Sequence, residues 1–195
     1  MRMDRRSGCP INLSVEVLGD KWSLVVLRDI MFGNLRTYRD LHGNSLEGIA
    51  TNILADRLKR LTEEGLVTSA PDPAHKQRTI YSLTEKAIEL MPVMVALGNW
   101  GVRHLRAAPE LAARSIALQE GGPPMWEDFM DELRHLHLGA QQPKRSVLAE
   151  LNRDGRWQVD SGWVSSLRIV ESLDGPTDEG PVVSRFGPCQ ERRGS

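Results

Sequence analysis

Between Ile53 and Leu61 the apolar residues recur at helical spacing. Ile53, Leu54, Leu58 and Leu61 fall on one stripe roughly 140° wide, the face of a packed helix. Asn52, Ala55, Asp56, Lys59 and Glu63 occupy the opposite side; none is large, so this face can lie close against another surface. Gly65 marks the stop. Two β-prone runs follow, 66–70 and 78–83, around a polar tip at 71–77 that carries His75 and Lys76. Upstream, Pro10 suits the first position of a helix over 10–18, with Cys9 at its cap. Asp20 is a natural cap for a second helix over 20–32, whose apolar surface is Trp22, Val25, Val26 and Ile30, with Trp22 as a core anchor. Gly33-Asn34 ends it. Thr37 then caps a short third helix opened by 36–41, and the connection 42–48, with two glycines, leads to the central helix.

Downstream, Thr84 caps a helix over 85–105, which Pro92 should kink or restart. Ile88, Met91, Val95 and Leu97 give it a broad apolar surface, with Trp100 near its end. That surface exceeds the needs of a small domain. A two-fold dimer interface through Ile88, Met91, Val95 and Trp100 is the expectation, and burial under the C-terminal part of the chain the alternative. Two further helices, 111–120 and 126–138, flank Gly121-Gly122-Pro123-Pro124; Trp126, Phe129, Met130, Leu133 and Leu136 keep helical spacing in the second. From about 141 the pattern decays. Residues 144–172 hold helix-like and strand-like pieces without an assignment, and 174–195 have the Gly, Pro, Ser and charge content of disorder.

A helix followed by a basic-tipped hairpin is the outline of a winged helix-turn-helix, in which the helix enters the DNA major groove and the wing straddles the backbone. The chain resembles the HxlR family of bacterial winged-helix transcriptional regulators. The residues that carry the resemblance are Cys9-Pro10, the run Gly19-Asp20-Lys21-Trp22, the stretch Gly48-Ile49-Ala50-Thr51-Asn52-Ile53-Leu54-Ala55-Asp56-Arg57-Leu58, Glu64-Gly65-Leu66-Val67, Tyr81-Ser82-Leu83-Thr84 and Trp100-Gly101. They span about 8–106, roughly half the chain. The expected architecture is mainly α with a small β-hairpin wing and a C-terminal helical extension. Its parts are a flexible arm over 1–8, the winged domain with its dimerisation helix over 9–106, the extension over 107–140, and a poorly defined tail over 141–195.

What the resemblance implies is a sequence-specific DNA-binding regulator, a repressor, acting as a homodimer with the recognition helix at about 50–64 and the wing at about 68–83. The candidate DNA-binding residues are Arg36, Thr37, Thr51, Asn52, Ala55, Asp56, Lys59, His75, Lys76 and Arg78. Arg36 and Thr37 stand where the helix that crosses the backbone begins and its amides meet a phosphate. Asn52 is the best base reader, since its amide pairs with adenine in bidentate fashion. Lys59 suits a phosphate, whereas Asp56 must read a donor or exclude wrong sequences. Arg57 lies at the edge of the apolar stripe and is read as structural, bridging helices or packing its stem, with DNA contact as the alternative.

Charge changes this picture little. The chain has 195 residues, 40% hydrophobic and 26% charged, with a net charge of −1, so any DNA affinity rests on local charge placement. A winged domain that binds protein partners without specific DNA binding is therefore the second reading. The two are separated by the potential around Asn52, Lys59, Lys76 and Arg78. Apolar runs such as 24–27 are far too short for a bilayer, and the basic N-terminus lacks the apolar core of a secretory signal. A cytoplasmic bacterial protein without a membrane partner is expected. Cys9 and Cys189 make no disulfide framework. A helix N-terminus and the nearby Arg5 and Arg6 would favour the Cys9 thiolate, and some HxlR-like regulators sense electrophiles or oxidants through a cysteine in this region. Cys9 is thus a sensor candidate, against the plainer role of a capping or packing residue; Cys189 reads as incidental. The arginines of the arm belong either to a frayed end or to phosphate contacts. His135 and His137, two apart with no third ligand near, do not make a metal site. No phosphate-binding loop, dinucleotide fingerprint, metalloprotease motif or nucleophile elbow is present. No enzyme, metal or cofactor is expected; the partners are double-stranded DNA, a second copy and an effector of unknown identity.

Overall fold

Local signals place most of the elements. A computed structural model describes residues 7–152 except Lys76. Within them the order is α1 (Pro10–Leu18), α2 (Ser23–Gly33), α3 (Tyr38–Gly43), α4 (Thr51–Glu63), β1 (Val67–Pro71), β2 (Thr79–Leu83), α5 (Glu85–Ile88), α6 (Met91–His104), α7 (Pro109–Leu138) and α8 (Val147–Leu151). Pro10 opens α1 in its first turn. Asp20 Oδ1 accepts the amides of Trp22 and Ser23 at 2.8 and 2.9 Å, so the carboxylate caps α2 from three residues before its first residue, Ser23. Thr37 caps α3 and Thr84 caps α5. At Gly65 the backbone is left-handed, with φ +69°, where a side chain would be strained, and the chain turns from α4 into β1. The hairpin pairs Val67 with Leu83 and Pro71 with Thr79. The extended residues 36–37 add a stub to it: Tyr81 N–H donates to Arg36 O at 2.7 Å, and Thr37 bridges Ile80.

The core gathers Val26, Leu27, Ile30 and Met31 of α2, Leu54, Leu58 and Leu61 of α4, and Leu66 and Leu83 at the base of the wing. Trp22 packs against it half-buried. Pro92 sits in the first turn of α6 and starts a segment separate from α5. The extension forms α7, broken at Gly122 (φ 60°, ψ −163°) with Pro123 and Pro124 restarting the helix. Across the break Trp126 Nε1–H donates to Leu118 O at 2.6 Å. Beyond it, Phe129 and Leu133 are fully buried, and Phe129 lies 5.4 Å from Phe32 of α2, ring centre to ring centre. Glu132 is buried because its carboxylate anchors α8, accepting the Ser146 hydroxyl and, at 2.9 Å, the Leu148 amide.

This packing corrects one expectation. Ile88, Met91 and Val95 do not form a dimer surface; they are buried within the chain, beneath α7, which packs along α6 and against α5 and β2. Helix α6 carries two apolar stripes. Met91, Val95 and Asn99 face inward, with the Asn99 amide donating to Gln119 Oε1 of α7 at 2.9 Å. Val93, Leu97 and Trp100 face out, and Trp100 remains 51% exposed. The arginines of the arm, Lys76, Cys189 and the tail beyond 152 lie outside the described residues. No described helix is long and apolar enough to cross a membrane.

Candidate nucleic-acid interface

Helix α4 buries Leu54, Leu58 and Leu61 and leaves Thr51, Asn52, Ala55, Asp56 and Lys59 exposed on one face. Its orientation is held by polar ties on its other sides. The Tyr38 hydroxyl of α3 donates to Thr51 O at 2.7 Å, fixing the N-terminus of α4. Arg57 reaches the Asp20 carboxylate at 2.7 Å, and Arg60 donates to Glu16 O of α1 at 2.6 Å. Arg57 is thus bound to the turn before α2, which agrees with its structural reading. Because the exposed face carries short side chains apart from Lys59, the α4 backbone can approach a groove floor closely.

The structure turns two expected phosphate contacts inward. Arg36 is half-buried, and its guanidinium donates to Leu136 O of α7 at 2.9 Å, to Tyr81 O at 3.3 Å and to the Ser82 hydroxyl. Burial lowers its pKa. Arg36 therefore joins α3, the wing and α7. The reason is its position before the Thr37 cap, in extended backbone that runs along β2. Thr37 is buried too; its hydroxyl accepts the Asp40 amide at 3.1 Å and donates to Asp40 Oδ2 at 2.6 Å. Neither side chain is free to meet DNA.

At the wing tip, Arg78 is half-exposed and its Nε–H pairs with the Asp72 carboxylate, which also accepts the Ala74 amide at 2.7 Å. The Ala74 amide, ahead of Arg78, holds the Asp72 carboxyl below its usual range. The pair ties the tip together through Nε and leaves the outer guanidinium nitrogens of Arg78 outside it. His75 is exposed. Between α3 and the wing lies a concavity whose walls include Tyr38, Arg39, His75, Arg78 and Tyr81. Arg39, exposed and on the side of α3 that faces the wing, is a cation the sequence reading passed over. A clue stood in its spacing: it lies inside the helix, two residues after the cap, whereas Arg36 lies before it. Cys9 is exposed and outside any disulfide among the described residues, and its side chain makes no capping bond.

Behind the wing sits His137. Its Nδ1 accepts the Leu83 amide at 3.4 Å, and burial, reinforced by Arg36, pushes its pKa down to about 4. In α2, burial raises Asp29 to about 6; Arg28 opposes that shift and Glu47 adds to it. These groups pull stability in opposite directions. Unfolding lets His137 take up a proton between about pH 6.5 and 4, so its share of stability falls with acid. Folded Asp29 takes up its proton near pH 6, before the unfolded chain does, so its share rises with acid. At about 1.4 kcal/mol per pKa unit, each amounts to about 3 kcal/mol across that window. Relative to the native chain, His137→Asn should gain stability between pH 6.5 and 4, and Asp29→Asn should lose it. Urea titrations at several pH values check this; parallel pH profiles for all three proteins would refute it.

Among the described residues no group of three or more His, Cys, Asp or Glu is placed to hold a metal ion. The HxlR-like helix-turn-helix family model matches residues 17–109. The chain is 34% identical over 143 residues to Rv3095 of Mycobacterium tuberculosis, named an HTH-type transcriptional regulator; the match covers 73% of this chain and 77% of that one. It is 37% identical over 93 residues to sll1512 of Synechocystis sp., which bears the same description, covering 48% and 67%. The crystal structure of PA1607 superposes with a TM-score of 0.49 at 34% identity, covering 54% of this chain and 71% of that one. A winged hairpin after an exposed helix, joined to this family match and to relatives aligned over most of their length, shows that the chain belongs to the HxlR-like helix-turn-helix family of transcriptional regulators.

Proposed function

We propose that the protein is a homodimeric repressor that binds double-stranded DNA sequence-specifically, with α4 in the major groove and the β1–β2 wing on the backbone. Family membership makes it a regulator rather than an enzyme. The observation that carries the finer reading is the exposed face Thr51, Asn52, Ala55, Asp56 and Lys59, beside a concavity bearing Arg39, His75 and Arg78. In this reading Asn52 reads a base, Lys59 and Arg39 neutralise phosphates, and Lys76 adds a cation to the wing. Asn52→Ala should lower the preference for operator over scrambled DNA by about 1–3 kcal/mol, the worth of a bidentate amide–base pair. Lys59→Ala should weaken both alike and reduce the salt slope by about one unit. Fluorescence anisotropy on both duplexes at several salt concentrations checks the pair. An unchanged preference in Asn52→Ala removes it as a reader, and no binding to any duplex favours the protein-partner reading.

The dimer surface in this reading is the outer stripe of α6, Val93, Leu97 and Trp100, together with Ile11 and Val15 of α1, all exposed apolar side chains. Trp100→Glu places a charge in that stripe. It should yield a folded monomer in sedimentation and weaken operator binding at least tenfold, because two half-sites then bind independently. A variant that remains dimeric would move the interface elsewhere.

A further inference from the structure

Where α2, α6, α7 and α8 meet, a cavity of about 270 Å³ remains. Its wall is mostly apolar, with Phe32, Met94, Val95, Leu118, Leu148 and Leu151 among its lining residues, and α4 takes no part in it. An apolar, half-open cavity of this size between packed helices marks a place for a guest. The polar groups at its edge restrict that guest. Arg28 lines the cavity, yet its guanidinium is held by Asp29 at 2.7 Å and Glu47 at 2.6 Å. With Arg114 the only other charged lining residue described, two positive charges stand against two carboxylates near neutral pH, so the edge gives neither an anion nor a cation a net advantage and favours an uncharged guest. Asn152 also lines the cavity, and its Oδ1 is buried with no hydrogen-bond partner. A buried acceptor without a donor is costly and calls for one. The volume of about 270 Å³ lies just below the usual range of ligand sites, which limits the guest to one or two fused rings.

We propose that this cavity is an effector site for a neutral aromatic molecule carrying one hydrogen-bond donor, of the phenol or indole class, with the donor on Asn152. The regulatory half rests on the DNA reading above. Arg28 connects the cavity wall to Glu47, in the connection just before α4 begins at Thr51. A guest that presses on Arg28 therefore acts on the loop that sets the N-terminus of the recognition helix.

The test titrates the full-length chain with indole, and separately with indene, which has the same shape but no N–H, by calorimetry without DNA. Indole should bind saturably and indene at least tenfold more weakly. Leu148→Trp, which fills the cavity, should abolish both. Asn152→Leu, at the end of α8, should bring indole down to the level of indene, and it keeps the test decisive if the filled variant folds poorly. Saturating indole should then change operator affinity at least about fivefold in the native chain and leave it unchanged in Leu148→Trp. No saturable indole binding, or equal binding to native and variant chains, overturns the site. Binding without a change in operator affinity overturns its effector role. Failure of the DNA reading would show separately, as a ligand-free chain that binds no operator, and calorimetry still decides whether the cavity takes the ring.

Discussion

Phe129→Ala is expected to cost about 4 kcal/mol of stability, the range for removing a fully buried aromatic ring. Phe129 belongs to α7, after the Gly122 break, yet it is completely buried and packs on Phe32 of α2. Around it lie Leu133, Met130 and the inward stripe of α6, all in one core with the residues behind α4. Were the helices after 106 an appendage, the loss would be confined to them and the winged part would unfold at its original midpoint. The packing requires the opposite. Urea unfolding, followed by signals from the winged part and from α7, should show both transitions moving together to lower urea. Separate transitions, with the winged part unshifted, would refute a shared core.

Arg36→Met should destabilise by about 3 kcal/mol while leaving the salt dependence of DNA binding unchanged. The guanidinium donates to two backbone carbonyls, Tyr81 O and Leu136 O, and to the Ser82 hydroxyl. Methionine replaces the apolar stem but none of those donors, and hydrogen bonds from a charged group contribute about 1.5–3 kcal/mol each. Solvent screening of a half-buried group, and the long 3.3 Å bond to Tyr81 O, keep the total below the simple sum of the three. Arg36→Lys should recover little, because one ammonium cannot span the wing and α7 together. A phosphate contact predicts the reverse pattern: unchanged stability and a salt slope smaller by about one unit. Chemical denaturation and a salt titration of operator binding, run on the same variant, separate the two.

The legible parts of this protein were those decided within a few residues. Asp20, Thr37 and Thr84 mark helix starts because each accepts amides at the start of its helix, and Pro10 because a first-turn position needs no N–H. Gly65 marks the end of α4 because left-handed backbone is cheap only without a side chain. The inner stripe of α4 and the exposure of Asn52 and Lys59 follow from the 3.6-residue period, and the wing from two β-prone runs around a polar tip. Those local signals, in their order, also carried the family.

Tertiary packing decided the rest. Arg36 and Arg39 look equivalent in a string of residues, but the first runs along β2 beneath α7 and the second projects toward the concavity beside the wing. Helix α6 is apolar on two sides, and periodicity cannot say which side α7 covers; hence Met91 and Val95 are core while Val93, Leu97 and Trp100 remain outside. The same holds for the cavity beside Arg28, whose walls bring together residues as distant in sequence as Arg28 and Asn152. Capping, turns and amphipathic spacing are short-range and can be read from the chain. Which of two apolar faces is buried, and which of two arginines turns inward, depends on the free energy of contacts between distant segments, and these exist only once the chain has closed on itself.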